Sequence, residues 1–91
     1  MRMITETYLN HPTFGLLYSL CVIDAKSALY TTLYAQRLFF LVSTSAEQLE
    51  FSPITRQEAK VAVESRLRLL RRSGTRQDYD QLQLVHQQTF Q

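Results

Sequence analysis

Leu29-Tyr30-Thr31-Thr32-Leu33-Tyr34-Ala35-Gln36-Arg37-Leu38-Phe39-Phe40-Leu41-Val42 reads as two strands with a short polar link at Ala35–Arg37. β-branched and aromatic residues fill both runs, Leu29–Tyr34 and Leu38–Val42, and neither reaches the length of a typical helix. In a strand the odd residues Leu29, Thr31 and Leu33 face one side, and Tyr30, Thr32 and Tyr34 face the other. Both sides of this hairpin are therefore apolar.

Working outward, Phe14–Ile23 and roughly Gln48–Phe51 have the same strand character, set off by polar breaks at Asp24–Ser27 and Ser43–Glu47. His11, between Asn10 and Pro12, reads as a turn residue. Short strands with tight links predict a small, bent antiparallel sheet or partial barrel. So thin a core is expected to leave one apolar face uncovered.

The pattern turns helical after Pro53. Thr55 with Glu58 forms a capping box. Ala59, Ala62, Val63, Leu67, Leu69 and Leu70 share an apolar arc, with Lys60, Glu64, Arg68, Arg71 and Arg72 opposite and Glu64–Arg68 as an i,i+4 pair. Ser73-Gly74 supplies a stop, glycine accepting the left-handed conformation that ends many helices. Thr75 with Asp78 predicts a second cap, followed by a stripe of Tyr79, Leu82, Val85, Thr89 and Phe90. The expectation is an α+β fold: a β-domain over residues 1–53 and a helical hairpin over 54–91.

Composition narrows the function. The 91-residue chain is 45% hydrophobic with a formal net charge of +2, so it can bury a core and carries no strong basic bias. The charge is uneven: residues 1–54 hold three Lys/Arg and four Asp/Glu, residues 55–91 seven and four. The longest apolar run, Phe14–Ile23, is half the length a membrane span needs, and no secretory signal is read at the N-terminus. With Cys21 the lone cysteine, no internal disulfide forms, and a cytoplasmic location is expected.

Chemistry is sparse. His11, His86 and Cys21 share no metal-ligand spacing, Gly15 and Gly74 make no phosphate loop, and no nucleophile elbow or acid–base pair is visible, so neither cofactor nor catalysis is expected. Cys21 reads as an inert core thiol and His86 as a partly buried, hydrogen-bonded histidine. Arg66 falls within the apolar arc of the first helix. Either its methylenes pack while the guanidinium reaches water or an acid, or this face docks against a partner or the β-domain. Tyr34, Gln36, Leu38 and Phe40 share a face if the link around Gln36 preserves parity. With Arg37 they set aromatic, amide, guanidinium and aliphatic groups side by side, as at protein interfaces, although core filling explains them equally well.

Residues Tyr8-Leu9-Asn10-His11-Pro12-Thr13-Phe14-Gly15-Leu16-Leu17-Tyr18 and Thr32-Leu33-Tyr34-Ala35-Gln36-Arg37-Leu38-Phe39-Phe40-Leu41-Val42 resemble the PII-interacting protein X family of cyanobacteria. So do Glu64-Ser65-Arg66-Leu67-Arg68, Arg71-Arg72 and Gln87-Gln88-Thr89-Phe90, and the similarity extends from about Glu6 to the end. The resemblance implies a Tudor-like β-domain followed by two C-terminal helices. It also implies a regulatory adaptor that binds either the T-loops of the trimeric PII signalling protein or, as coactivator, the dimeric transcription factor NtcA. High 2-oxoglutarate favours NtcA, whereas low 2-oxoglutarate with ADP favours PII, and a GntR-type regulator is reached through PII. Carried over by motif, Tyr34 is the contact shared by both partners. Gln36, Arg37, Leu38 and Phe40 continue the patch, Tyr8, Phe14 and Leu16 lie beside it, and Glu6 tunes PII affinity. Loops 23–27 and 43–50 and the first five residues depart from the family.

The helices are expected to carry a separable function, a contact with the transcription machinery for which Arg66 is a candidate. Two other classes compete. A nucleic-acid-binding module would use the Arg-rich first helix, although no aromatics interleave with its arginines. A methyl-ligand reader would need an aromatic cage, and only the Tyr and Phe content speaks for one.

Overall fold

Residues 6–33, 38–45 and 48–90 are described by the computed structural model. Five strands come first: β1 (Tyr8–His11), β2 (Gly15–Asp24), β3 (Ser27–Thr32), β4 (Phe39–Ser45) and β5 (Gln48–Ile54). Helices α1 (Arg56–Ser73) and α2 (Arg76–Phe90) follow. Each strand pairs antiparallel with its sequence neighbours, in the order β1-β2-β3-β4-β5. The fold is α+β, a curled half-barrel followed by two helices.

Tight turns and irregular pairing shape the sheet. Between β2 and β3, Asp24 Oδ1 accepts the Lys26 amide at 2.8 Å and the Ser27 hydroxyl at 2.9 Å. These donors, the Lys26 amide foremost, hold the Asp24 carboxyl below the usual carboxylate range. Register shifts lie between Ser19 and Cys21 and between Val22 and Asp24. Such irregularities bend a strand and increase its twist.

Alternation sorts the apolar side chains into two clusters. Leu20, Leu29 and Phe39 face the helices and pack with Ala59, Val63, Leu82 and Phe90. Leu17, Ala28, Tyr30, Phe40 and Val42 form the second cluster on the opposite face, with Leu9 and Phe51 against it. The expected uncovered face is thereby corrected. Tyr30 and Val42 are 0% exposed and Phe40 2%. Curling accounts for this: β1 and β5 are the outermost strands, yet the His11 and Phe51 rings approach to 5.0 Å. The sheet folds over its own second face, and among the described residues of the sheet and its turns Tyr8, Phe14, Leu38 and Leu49 keep large apolar side chains open.

Several local expectations also change. β1 was not anticipated, β3 stops at Thr32 and β4 continues to Ser45, through much of the break read at Ser43–Glu47. The sheet runs through Pro53 to Ile54, one residue before the Thr55 cap. Helix and sheet share the first cluster, so residues on either side of Pro53 contribute to one core.

The capping box is complete: the Glu58 amide donates to Thr55 Oγ1 at 3.0 Å, and the Thr55 amide donates to Glu58 Oε1 at 2.9 Å. Thr75 Oγ1 accepts the Asp78 amide at 3.1 Å. Gly74 ends α1 for a different reason than expected, because its φ of −96° is not left-handed. A Cβ there would lie 2.6 Å from Leu70 Cδ2 and 3.0 Å from the Leu70 backbone, so a side chain would require Leu70 to shift. Leu69, at the margin of the apolar arc, is 48% exposed. Glu64 reaches across to His86, with Oε2 3.0 Å from Nε2, while Arg68 donates to Ser65 Oγ at 3.2 Å. Among the described residues no helix is long and apolar enough to cross a membrane.

Phe39 joins sheet and helices. Its ring stacks on Phe90 with centroids 5.5 Å apart, and the Arg56 guanidinium lies 5.6 Å from the Phe90 centroid. Phe39→Ala is expected to lower unfolding free energy by about 3–5 kcal/mol in chemical denaturation. A loss below about 1 kcal/mol would contradict the shared core.

Candidate functional site

One end of the half-barrel gathers the open apolar rim. Here β1 turns into β2 through Pro12, Thr13 and Phe14, and β3 gives way to the segment that returns at Leu38. Gly15 has a positive φ of 79°, a conformation that glycine adopts without a Cβ clash. His11 Nδ1 accepts the Thr13 amide at 3.0 Å and the Phe14 amide at 3.2 Å. The turn therefore has a fixed backbone although it lies at the surface.

Hydrogen bonds hold the neighbouring backbone. Leu38 carbonyl oxygen accepts the Thr32 amide at 3.1 Å and the Thr31 hydroxyl at 2.8 Å. The Leu33 amide donates to the Leu16 carbonyl at 3.0 Å, and the Ser19 amide to the Thr7 carbonyl at 2.9 Å. Tyr30, buried beneath, donates its hydroxyl to the Glu6 carbonyl. Burial pushes the Tyr30 phenol up, with a smaller opposing effect from Ser19. The segment before β1 is thus tied to the sheet.

The structure places the expected contact residues unevenly. Tyr8, Phe14 and Leu38 are exposed by 52%, 49% and 43%. Leu16 is half-buried and Glu6 exposed. Tyr8 pairs with Tyr18, their rings 5.7 Å apart, and alternation puts Leu16 on the same face. Phe14 instead leans toward the second cluster, its ring 5.6 Å from Phe40. The rim therefore spans both faces at one end of the sheet. Phe40 lies beneath it, where it supports the rings above. Tyr34, Gln36 and Arg37 lie outside the described residues.

His11 was read only as a turn residue, yet its ring is 5.0 Å from each of Phe14, Phe40 and Phe51. Its position just before the Pro12 turn was the available signal. The ring contacts depend on curling, which local pattern does not show.

Arg66 and His86 lie partly buried on the helices. Arg66 is half-buried on α1, and its positive charge favours the thiolate of Cys21 on β2. The His86 side chain is 13% exposed against Glu64, and its ring lies 5.7 Å from Phe90. Among the described residues no cluster of His, Cys, Asp and Glu is arranged to hold a metal ion.

A family model described as PII-interacting protein X matches residues 5–90. No curated protein matches the chain.

Burial pushes the Cys21 thiol up to about 12, against the opposing charge of Arg66. Thiolate is the reactive species, so this rise from 9.0 depletes the nucleophile. Near pH 8 the native chain is expected to react with iodoacetamide about 1000-fold more slowly than the denaturant-unfolded chain, at tenfold per pKa step. Equal rates in mass-spectrometric labelling would contradict the packing of Cys21 against the first cluster.

Proposed function

Since the chain belongs to the PII-interacting protein X family, we propose that it is a regulatory adaptor whose rim is taken in turn by PII and by the NtcA dimer. Its family is one of PII-interacting regulatory proteins rather than of enzymes. The single observation that carries the reading is the exposure of Tyr8, Phe14 and Leu38 on backbone pinned by hydrogen bonds. Large side chains held ready for contact lose little freedom on binding, which favours affinity. Two partners that both need this rim exclude each other. A GntR-type regulator would be reached only while PII occupies it.

The adaptor itself senses no metabolite in this reading. PII and NtcA bind 2-oxoglutarate or nucleotide, and each effector redistributes the adaptor only as far as it changes a partner's affinity. A tenfold change in each partner, in opposite senses, moves the ratio by about a hundredfold, or about 2.7 kcal/mol. Tyr34 is the proposed shared anchor, continued by Gln36, Arg37 and Leu38, with Glu6 tuning PII affinity.

Competition tests the reading. PII with ADP, added to a preformed complex of the chain with NtcA, is expected to release NtcA in proportion to PII bound. A stable assembly holding all three on one adaptor molecule would contradict it. Tyr34→Ala is expected to weaken both complexes by about 2 kcal/mol or more, with circular dichroism unchanged. Undiminished affinity for both partners would remove Tyr34 as the shared anchor.

A further inference from the structure

The imidazole of His11 is engaged in two ways at once. Nδ1 accepts two backbone amides, those of Thr13 and Phe14. A ring nitrogen that accepts carries no hydrogen, so the neutral ring holds its proton on Nε2. The ring itself lies among Phe14 of the turn, Phe40 of β4 and Phe51 of β5. His11 thus joins the two outermost strands of the sheet and holds the turn that presents Phe14.

Phe14 needs such support. It is 49% exposed, and its turn has no strand pairing beyond His11–Gly15. Two things fix it: the amide bonds to Nδ1, which set the backbone, and the His11 and Phe40 rings, 5.0 and 5.6 Å away, which set the side chain. An anchor held in its bound arrangement loses less freedom on association than a mobile one.

Resting on the reading of this rim as the PII surface, we propose that His11 is a positioning residue that sets partner affinity through Phe14. Neither of its two engagements substitutes for the other. Asparagine at position 11 would keep an acceptor near Nδ1 but lose most of the ring contact. Alanine would lose both.

Full-length chains carrying Phe14→Ala, His11→Ala, His11→Asn and the His11→Ala/Phe14→Ala pair are titrated against PII with ADP, with thermal unfolding followed in parallel. Phe14→Ala is expected to weaken binding, and His11→Ala to weaken it by about tenfold in the otherwise unchanged chain, from lost preorganisation. In the Phe14→Ala background the His11→Ala loss is expected to fall to about twofold or less, since coupled residues are not additive. His11→Asn is expected to recover part of the affinity. Equal losses in both backgrounds, or none in either, would overturn the positioning role while leaving the surface reading intact if Phe14→Ala still weakens binding. An unchanged affinity of Phe14→Ala would remove Phe14 from the surface and the inference with it. Imidazole ¹⁵N spectra of the unaltered chain need no variant to fold: the Nε2–H tautomer is expected at His11, and the Nδ1–H tautomer would overturn the proposal.

Discussion

A sheet of five short strands has two apolar faces, and this chain carries helices for one of them. The rest of the architecture answers that constraint. α1 and α2 cover the face of Leu20, Leu29 and Phe39, while bending of β2 and the meeting of His11 with Phe51 enclose the face of Tyr30, Phe40 and Val42. Curling hides the middle of a face better than its ends. Phe14 and Leu38 stay at the surface at such an end, while Tyr8 is exposed on the other face, next to Tyr18. An exposed rim is thus a consequence of closing a small half-barrel, and its fixed backbone makes it usable for recognition.

The helices are as much a support as an addition. Phe90 reaches Phe39, Arg56 lies beside Phe90, and Glu64 meets His86 between the two helices. A partner that separated α2 from the sheet would have to uncover Phe39 and Leu82. Binding at the rim demands no such cost, because the open side chains lie outside the shared core.

Local pattern showed the features that depend on near neighbours. The Thr55–Glu58 box, the Thr75 cap, the buried positions Leu82 and Phe90, and most of four strands were legible because spacing alone determines them. β1 escapes local pattern because Tyr8-Leu9-Asn10-His11 is short, ends in the adjacent polar pair Asn10-His11 and is paired only with β2. Gly74 was read for handedness when the reason is its contact with Leu70, and Glu64 was paired along its own helix when its partner lies on the next. Both depend on three-dimensional approach. The site divides similarly. Tyr8, Phe14 and Leu16 stood out by motif, but the burial of Phe40 and the central place of His11 follow from curling, to which distant parts of the chain contribute. Tyr34, Gln36 and Arg37 lie outside the described residues, so their roles rest on the family resemblance.

The most direct measurement of the central claim is the footprint of PII on this chain, read as amide chemical-shift changes in ¹⁵N spectra when PII with ADP is added. The account predicts the largest changes at Tyr8, the Thr13–Leu16 turn and Leu38, with α1 and α2 little altered. A footprint confined to the helices, with the rim unchanged, would contradict it.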